Sequence, residues 1–317
     1  MPPRRVIGID AGGTKLLGGV VDQGLVVHHR VHRTWRGSDR AETLEIFVEA
    51  VEEVRAAAPD VAAVGFGIPA LVEWETGVSR WSTHLPLEDV RFRDLMSERL
   101  GLPVIVDNDA NAALLAEARF GAARDVSHAV MVALGTGIGS GLLLDGKVYR
   151  GARGFGPEIG HMVVDLHGPD CQGSCPGRGC LEVLASGSRI GRDGIEAARA
   201  HPDSALGRRA AAGREITGGI VTELAHHGDG AAREVLSEVG RRLGYGLVGV
   251  INVFNPELVV LGGGALAAGD LLLDPARAVV AERALPPMRE LARIMPAHFG
   301  AEAGMLGAAL LALDLVS

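Results

Sequence analysis

Lysine is almost absent from this sequence: Lys15 and Lys147 are the only two, and arginine carries the rest of the positive charge. The formal net charge is −8 and the pI ≈ 5.8, a balance that argues against a nucleic-acid-binding surface. Aromatic residues make up only 4%. No apolar run approaches the roughly 20 residues that a membrane-spanning helix needs. Nor does an apolar stretch of signal length precede the first strand, so no secretory leader is expected. Cysteine occurs three times, an odd number that argues against a disulfide framework and for a reducing compartment. These absences lead us to expect a cytoplasmic protein with neither nucleic-acid nor membrane partners.

What is present is glycine, 45 residues of it, within a chain that is 47% hydrophobic. A length of 317 residues suffices for two domains and a sizeable core, and the Ala-, Val-, Leu- and Gly-rich composition is that of an α/β protein. Apolar patterning predicts strands over 5–10, 16–22 and 25–33, a helix over 39–58, a strand over 61–67, a helix over 92–100, a strand over 104–107 and a helix over 110–120. Strands over 129–134, 140–145 and from 147 follow, then a largely helical part with helices over 234–254, 271–284 and 304–315 and a strand over 257–261. At an offset of 123 residues Gly12 matches Gly135, Gly18 matches Gly141 and Asp22 matches Asp145. A repeated strand–glycine turn–strand–strand unit suggests two halves of similar build; the alternative is chance likeness of two glycine-rich hairpins.

Several stretches carry candidate chemistry. Gly12-Gly13-Thr14 follows the first strand and offers unobstructed backbone N–H groups to phosphate oxygens, and Asp10 before it is a hard oxygen ligand suited to Mg²⁺. An ordinary tight hairpin is the plainer reading. Gly135-Thr136-Gly137 repeats the arrangement, so the two turns are candidates for the two ends of a polyphosphate. Gly141–Lys147 has the outline of a P-loop, but Val148 stands where Ser or Thr would hold the metal. Gly135–Gly141 is not G-x-G-x-x-G and leads into strands, which argues against a dinucleotide fold. In Asp107-Asn108-Asp109 one residue is expected to cap the following helix, leaving at least one for a site. Gly262-Gly263-Gly264 leaves room for a base or a ribose.

All three cysteines, Cys171, Cys175 and Cys180, lie within ten positions, just after His161. Three thiolates and an imidazole make a donor set for a closed tetrahedral zinc site; a disulfide with a spare thiol, or three inert thiols, are the alternatives. Glu158 and Glu182 flank this loop. Paired carboxylates beside an imidazole suit a row of vicinal hydroxyls, whereas a plainer reading has Glu182 capping a helix and Glu158 solvated.

Together these stretches resemble the ROK family of sugar kinases and repressors, over nearly the whole chain. Asp10-Ala11-Gly12-Gly13-Thr14-Lys15 and Gly135-Thr136-Gly137-Ile138-Gly139 look like its two phosphate motifs, Asn108-Asp109-Ala110-Asn111 like its catalytic segment. Glu158-Ile159-Gly160-His161 and Cys180-Leu181-Glu182 look like its sugar and zinc signature. The resemblance implies an α/β, actin-like (ribonuclease-H-like) duplicated fold in two lobes with a cleft: residues 1–120 with 303–317 as the smaller, 121–302 as the larger. It implies an ATP-dependent hexose kinase of glucokinase type, with Asp109 as general base, Asn108, Asp109, Glu158, His161 and Glu182 on the sugar, and Asp10, Gly12, Gly13, Thr14, Lys15, Gly135, Thr136, Gly137 and Gly262, Gly263 and Gly264 on the nucleotide with its Mg²⁺. His161, Cys171, Cys175 and Cys180 are the implied ligands of a structural Zn²⁺, and a homodimer or homotetramer is the family habit. Kinases for N-acetylmannosamine, mannose, fructose or allose, and polyphosphate as donor, fit the same motifs. From other classes, a non-catalytic sugar sensor and an actin- or chaperone-like ATPase remain rivals. Two departures stand out: the first cysteine pair is C-x₃-C where the family has C-x-C, and Thr83-His84-Leu85-Pro86 stands where Pro-Asn-Leu-Pro is usual. Only nine residues precede Asp10, so the DNA-binding module of the repressor branch is not expected.

Overall fold

The computed structural model describes residues 4–12, 15–35, 37, 39–83 and 85–317; Gly13, Thr14 and His84 lie outside the described residues. In chain order its elements are β1 (Arg5–Ala11), β2 (Lys15–Asp22), β3 (Val27–Thr34), α1 (Arg40–Ala57), β4 (Val61–Ile68), β5 (Leu71–Glu73), β6 (Val78–Trp81), α2 (Phe92–Leu100), β7 (Val104–Asn108), α3 (Asp109–Phe120), β8 (Ala129–Leu134), β9 (Ile138–Leu144) and β10 (Lys147–Tyr149). Then come α4 (Leu181–Ala185), α5 (Gly187–Ala200), α6 (Ala205–Ala211), α7 (Gly218–His226), α8 (Gly230–Phe254), β11 (Leu258–Gly262), α9 (Asp270–Arg283), α10 (Pro286–Leu291), β12 (Arg293–Pro296) and α11 (Ala303–Leu315).

Two five-stranded sheets run β3-β2-β1-β4-β7 and β10-β9-β8-β11-β12. Numbered within each sheet, both orders read 3-2-1-4-5. In the first, β1–β2 and β2–β3 are antiparallel while β1–β4 and β4–β7 are parallel; in the second, β9–β10 is antiparallel and β11–β12 parallel. The 123-residue repeat therefore reflects duplicated topology rather than chance: Asp22 ends the second strand of one sheet, and Asp145 stands in the turn after the second strand of the other. The short hairpin β5–β6, the strand β12 and the helix α10 were not anticipated.

The chain gathers into two compact units, Met1–Met131 with Gly141–Pro157 and Ala297–Ser317, and Val132–Ser140 with Glu158–Pro296. In the first, β1 is buried along nearly its whole length because apolar groups cover both faces of the sheet, as parallel strands require. Ile7, Ile9, Val64 and Phe66 join Phe47 and Val51 of α1 on one face, where the rings of Phe66 and Phe92 meet edge to face at 5.2 Å. On the other face Val6, Val21 and Ala63 pack with α3 and α11. Gly8 of β1 and Gly65 of β4 stand side by side in register, and a Cβ on either would collide with a carbonyl of α11, Met305 or Ala308. The bare backbone thus lets α11 lie directly on the sheet. Glu117, fully buried in α3, anchors the approach to α11: its carboxylate accepts the N–H groups of His298 and Phe299 at 3.0 and 2.9 Å.

In the second unit the long helix α8 starts at Gly230, four residues earlier than its apolar pattern, because Asp229 caps it by accepting the Ala232 N–H at 2.8 Å. Its glycines Gly240 and Gly244 face the α9 carbonyls of Leu272 and Ala276, so the two helices pack closely. Among the described residues no helix is long and apolar enough to cross a membrane.

Candidate active site and metal centre

Asp10, Gly67 and Asp107 are neighbours across the carboxyl ends of the parallel strands β1, β4 and β7, the place where open α/β sheets hold ligands. Gly67 contributes no side chain, and the position its Cβ would take lies 3.3 Å from the Asp109 Cα. The run Asp107-Asn108-Asp109 divides its work there. Asn108 is the cap of α3, its Oδ1 accepting the N–H groups of Ala110 at 2.9 Å and Asn111 at 3.2 Å. That fixes the amide orientation: the oxygen faces the helix, and Nδ2 points away with, among the described residues, only the Ala70 carbonyl at 3.5 Å. Asp107 turns inward and is 1% exposed. Its Oδ2 takes Arg150 Nε at 2.8 Å, and its Oδ1 takes the Asn108 N–H at 2.8 Å and Asn111 Nδ2 at 3.4 Å. Burial pushes the Asp107 carboxyl up, and the Arg150 guanidinium opposes the shift.

Asp109 opens the helix, its Oδ1 accepting the Ala110 N–H at 2.8 Å. Burial raises its carboxyl to about 6, with nearby Asp107 adding to the rise. Asp10 is raised to about 8, by burial and then by the charge of Asp109. Gly304 of α11 faces Asp10, and a Cβ there would touch the carboxyl group. Two partly buried carboxylates whose proton affinity is raised, Asp10 in part by the charge of Asp109, fit a divalent cation, which would relieve both. Lys15 is exposed at the start of β2 and Gly12 is partly buried before it.

In the second unit the structure brings His161, Cys171, Cys175 and Cys180 together, with one ligand atom from each lying within 4.8 Å of all the others. His161 Nδ1 is 3.7 Å from Cys171 Sγ, and the three thiols are unpaired. The C-x₃-C spacing does not prevent this, because the loop folds back on itself: the Cys171 N–H donates to the Gly177 carbonyl at 2.9 Å, and the Gly177 N–H donates to Cys175 Sγ at 3.4 Å. Burial, with the neighbouring Cys175 and Cys180, drives the Cys171 thiol far above its ordinary range, and burial raises Cys180 too. A cation that holds thiolates is what such crowding calls for, and three sulfurs with one imidazole nitrogen fit zinc.

The flanking acids take different postures. Glu158 is exposed, its Oε2 at 4.0 Å from His161 Nε2. Glu182 is 4% exposed and does not cap α4, which has no side-chain cap. Its Oε2 accepts the Ile138 N–H at 2.8 Å, and its buried Oε1 has no partner among the described residues. The second glycine turn is held from several sides. Gly187 N–H donates to the Gly135 carbonyl at 2.8 Å, while Ser188 Oγ at 2.7 Å and Gln172 Nε2 at 3.2 Å donate to the Thr136 carbonyl. Gly263, at φ 87°, backs onto the Leu134 backbone, where no side chain fits. Arg150, Gln172 and Ser188 were not anticipated, since each works through a partner tens of residues away in sequence.

A family model described as the ROK family matches residues 6–315. The chain belongs to the ROK family. A glucokinase from Thermotoga maritima is 33% identical over 311 residues, 98% of this chain and 97% of the relative. A xylose repressor from Caldicellulosiruptor bescii is 30% identical over 258 residues, 78% of this chain and 62% of the repressor, so the chain spans less than two thirds of that protein. Among solved structures, a ROK family glucokinase from Streptomyces griseus in complex with glucose and AMPPNP superposes with a TM-score of 0.90 at 32% identity, covering 98% of this chain and 99% of that one. The duplicated sheets are therefore those of the actin-like ATPase fold of ROK glucokinases.

Proposed function

We propose that this ROK protein is an ATP-dependent hexose kinase of glucokinase type that phosphorylates the sugar 6-hydroxyl. The observation that carries the reading is the pairing of Asn108 and Asp109 at the start of α3: a capping amide with an outward N–H₂ beside a carboxylate that burial has made more basic, up to about 6. The 6-hydroxyl oxygen attacks the γ-phosphorus, its proton passes to the Asp109 carboxylate, and the bond to the ADP oxygen breaks. The transition state is loose, so orienting the hydroxyl matters more than early proton removal. Asn108 donates to a sugar oxygen, and Glu158, His161 and Glu182 hold further hydroxyls; the unpartnered Oε1 of Glu182 is an acceptor suited to one of them. Gly12, Gly13, Thr14 and Lys15, with Gly135, Thr136 and Gly137, receive the phosphates, and Gly262, Gly263 and Gly264 border the adenosine. Mg²⁺ near Asp10 would supply charge neutralisation on the phosphates. Zinc on His161, Cys171, Cys175 and Cys180 would fix the loop and take no part in bond making.

The glucokinase relatives support glucose as acceptor, and the S. griseus complex with glucose and AMPPNP supports ATP as donor. The xylose repressor among the relatives favours a second reading, a sugar-sensing module without turnover. Coupled ADP release with a panel of hexoses separates the two, since only a kinase releases ADP in step with added sugar. Asp109→Asn is expected to keep hexose binding and to lower kcat by about 10² or more, the scale of general-base effects. Near-normal turnover in that variant would remove Asp109 from its role.

A further inference from the structure

Arg150 touches neither of the glycine turns nor the cysteine loop in any hydrogen bond described, yet it is the centre of a partly buried cluster beside the catalytic turn. Its Nε donates to Asp107 at 2.8 Å, its Nη1 to the Val148 carbonyl at 3.4 Å, and its guanidinium carbon lies 3.7 Å from the centroid of the Trp74 ring. The Arg150 carbonyl accepts the Gly156 N–H at 3.1 Å, so the residue also fixes the segment that leads to Glu158. Trp74 is held in turn, its backbone N–H donating to the Arg153 carbonyl at 2.9 Å. From these contacts we infer that Arg150 is a positioning residue, which through Asp107 sets the Asn108–Asp109 turn for phosphoryl transfer. The inference rests on the kinase reading above.

The chain of force is short. Asp107 Oδ1 accepts the N–H of Asn108, and Asp109 is one peptide further on. A planar guanidinium that is stacked on an indole and bonded to Asp107 fixes that carboxylate in place. The carboxylate then fixes the Asn108 peptide, and the peptide aims both the amide of Asn108 and the carboxylate of Asp109. Asp107 is 1% exposed with the guanidinium in place, and a carboxylate that loses that partner relaxes by moving or by taking a proton. Either change loosens its grip on the Asn108 N–H. Two simpler roles make different forecasts: a plain stabilising ion pair moves Tm and leaves turnover unchanged, while a direct ligand of sugar or phosphate moves KM.

The test compares wild type, Arg150→Gln and Arg150→Lys in hexose-dependent ADP release, and follows amide exchange of the 105–113 peptide in each. Arg150→Gln is expected to lower kcat by about 10- to 100-fold, the cost of misplacing a catalytic group by an ångström or less, with KM for ATP within about twofold of wild type. Exchange at Ala110 and Asn111, whose N–H groups Asn108 caps, should quicken by about tenfold as the turn opens more often. Arg150→Lys keeps the charge without the fork or the stack, and should fall between the two in both readouts; it also decides the matter should Arg150→Gln not fold. A folded variant with kcat within twofold of wild type, a loss confined to KM, or unchanged exchange in 105–113 would each overturn the inference. If wild type releases no ADP with any hexose, the kinase reading fails instead, and the exchange comparison still decides whether Arg150 orders the turn.

Discussion

Asn108 caps α3 with one end of its amide and is proposed to hold the sugar with the other, and substitution can separate the two tasks. Its oxygen accepts the Ala110 and Asn111 N–H groups at 2.9 and 3.2 Å, and its nitrogen is left for a sugar oxygen with only a 3.5 Å contact to Ala70. Removing the cap altogether costs about 1 kcal/mol, whereas serine at a cap position is nearly equivalent to asparagine. For a unit of this size 1 kcal/mol corresponds to a Tm shift of about 2–4 °C. Asn108→Ala should therefore lose about 2–4 °C and Asn108→Ser less than about 1 °C. Both lose the amide donor, worth up to about 1.5 kcal/mol, so KM for the hexose should rise by about tenfold in each. Scanning fluorimetry and coupled ADP release measure the two effects on the same preparations. If Asn108→Ser melts as low as Asn108→Ala, the cap assignment is wrong. If it binds hexose as wild type does, the outward N–H₂ is not a sugar donor.

Chelation of a metal held by the cysteine cluster should raise KM for ATP as well as for hexose, because Gln172 of the loop and Glu182 just after it hold the Gly135–Ile138 turn; metal content and kinetics followed together check this, and full activity after complete stripping would refute it. Gly65→Ala would press a methyl against the Ala308 carbonyl, an overpacking expected to cost about 1–3 kcal/mol in urea unfolding, and a neutral result would mean that α11 can lift off the sheet at no cost. Asp22 offers a pH test. Burial pushes its carboxyl up, but hydrogen bonds from His28 and from the N–H groups of Val26 and Gly24 outweigh this and leave it below the ordinary 3.8. A depressed folded value gives stability that is present above the unfolded pKa and lost as pH falls through the folded one. Asp22→Asn should accordingly lower Tm near pH 7 and make no difference near about pH 2, and a Tm deficit independent of pH would contradict the assignment.

Local sequence signals served well where the cause of structure is local. The buried strand β4, the capped helix α1 and the match of Gly12, Gly18 and Asp22 with Gly135, Gly141 and Asp145 all led to the right elements. The cysteine loop was legible for a different reason, since four soft donors within 20 residues have few other uses. The division of labour in Asp107-Asn108-Asp109 was not legible: aspartate and asparagine both cap helices well, and Arg150, which takes Asp107 out of contention, lies 43 residues away. The hairpin β5–β6 escaped notice because its strands have three and four residues, too few for a period to register. β12 is mostly exposed and has no apolar alternation to read.

The loop's bonds to the second glycine turn bear on more than rigidity. Within that turn the Gly135 N–H is taken by the Gly137 carbonyl at 2.9 Å and the Ile138 N–H by Glu182, which leaves the amides of Thr136 and Gly137 as the candidates for a phosphate oxygen. The Thr136 carbonyl is drawn toward Ser188 and Gln172. In a trans peptide the carbonyl and the following N–H point in opposite directions, so the Gly137 N–H is turned away from both. Gln172 lies between two of the thiol ligands and Glu182 two residues after the third. The thiol cluster thus reaches the backbone of the second glycine turn through Gln172 of its loop and Glu182 just after it, and a stretch that resembles a sugar-binding signature also sets the direction of the amide proposed to receive a phosphate.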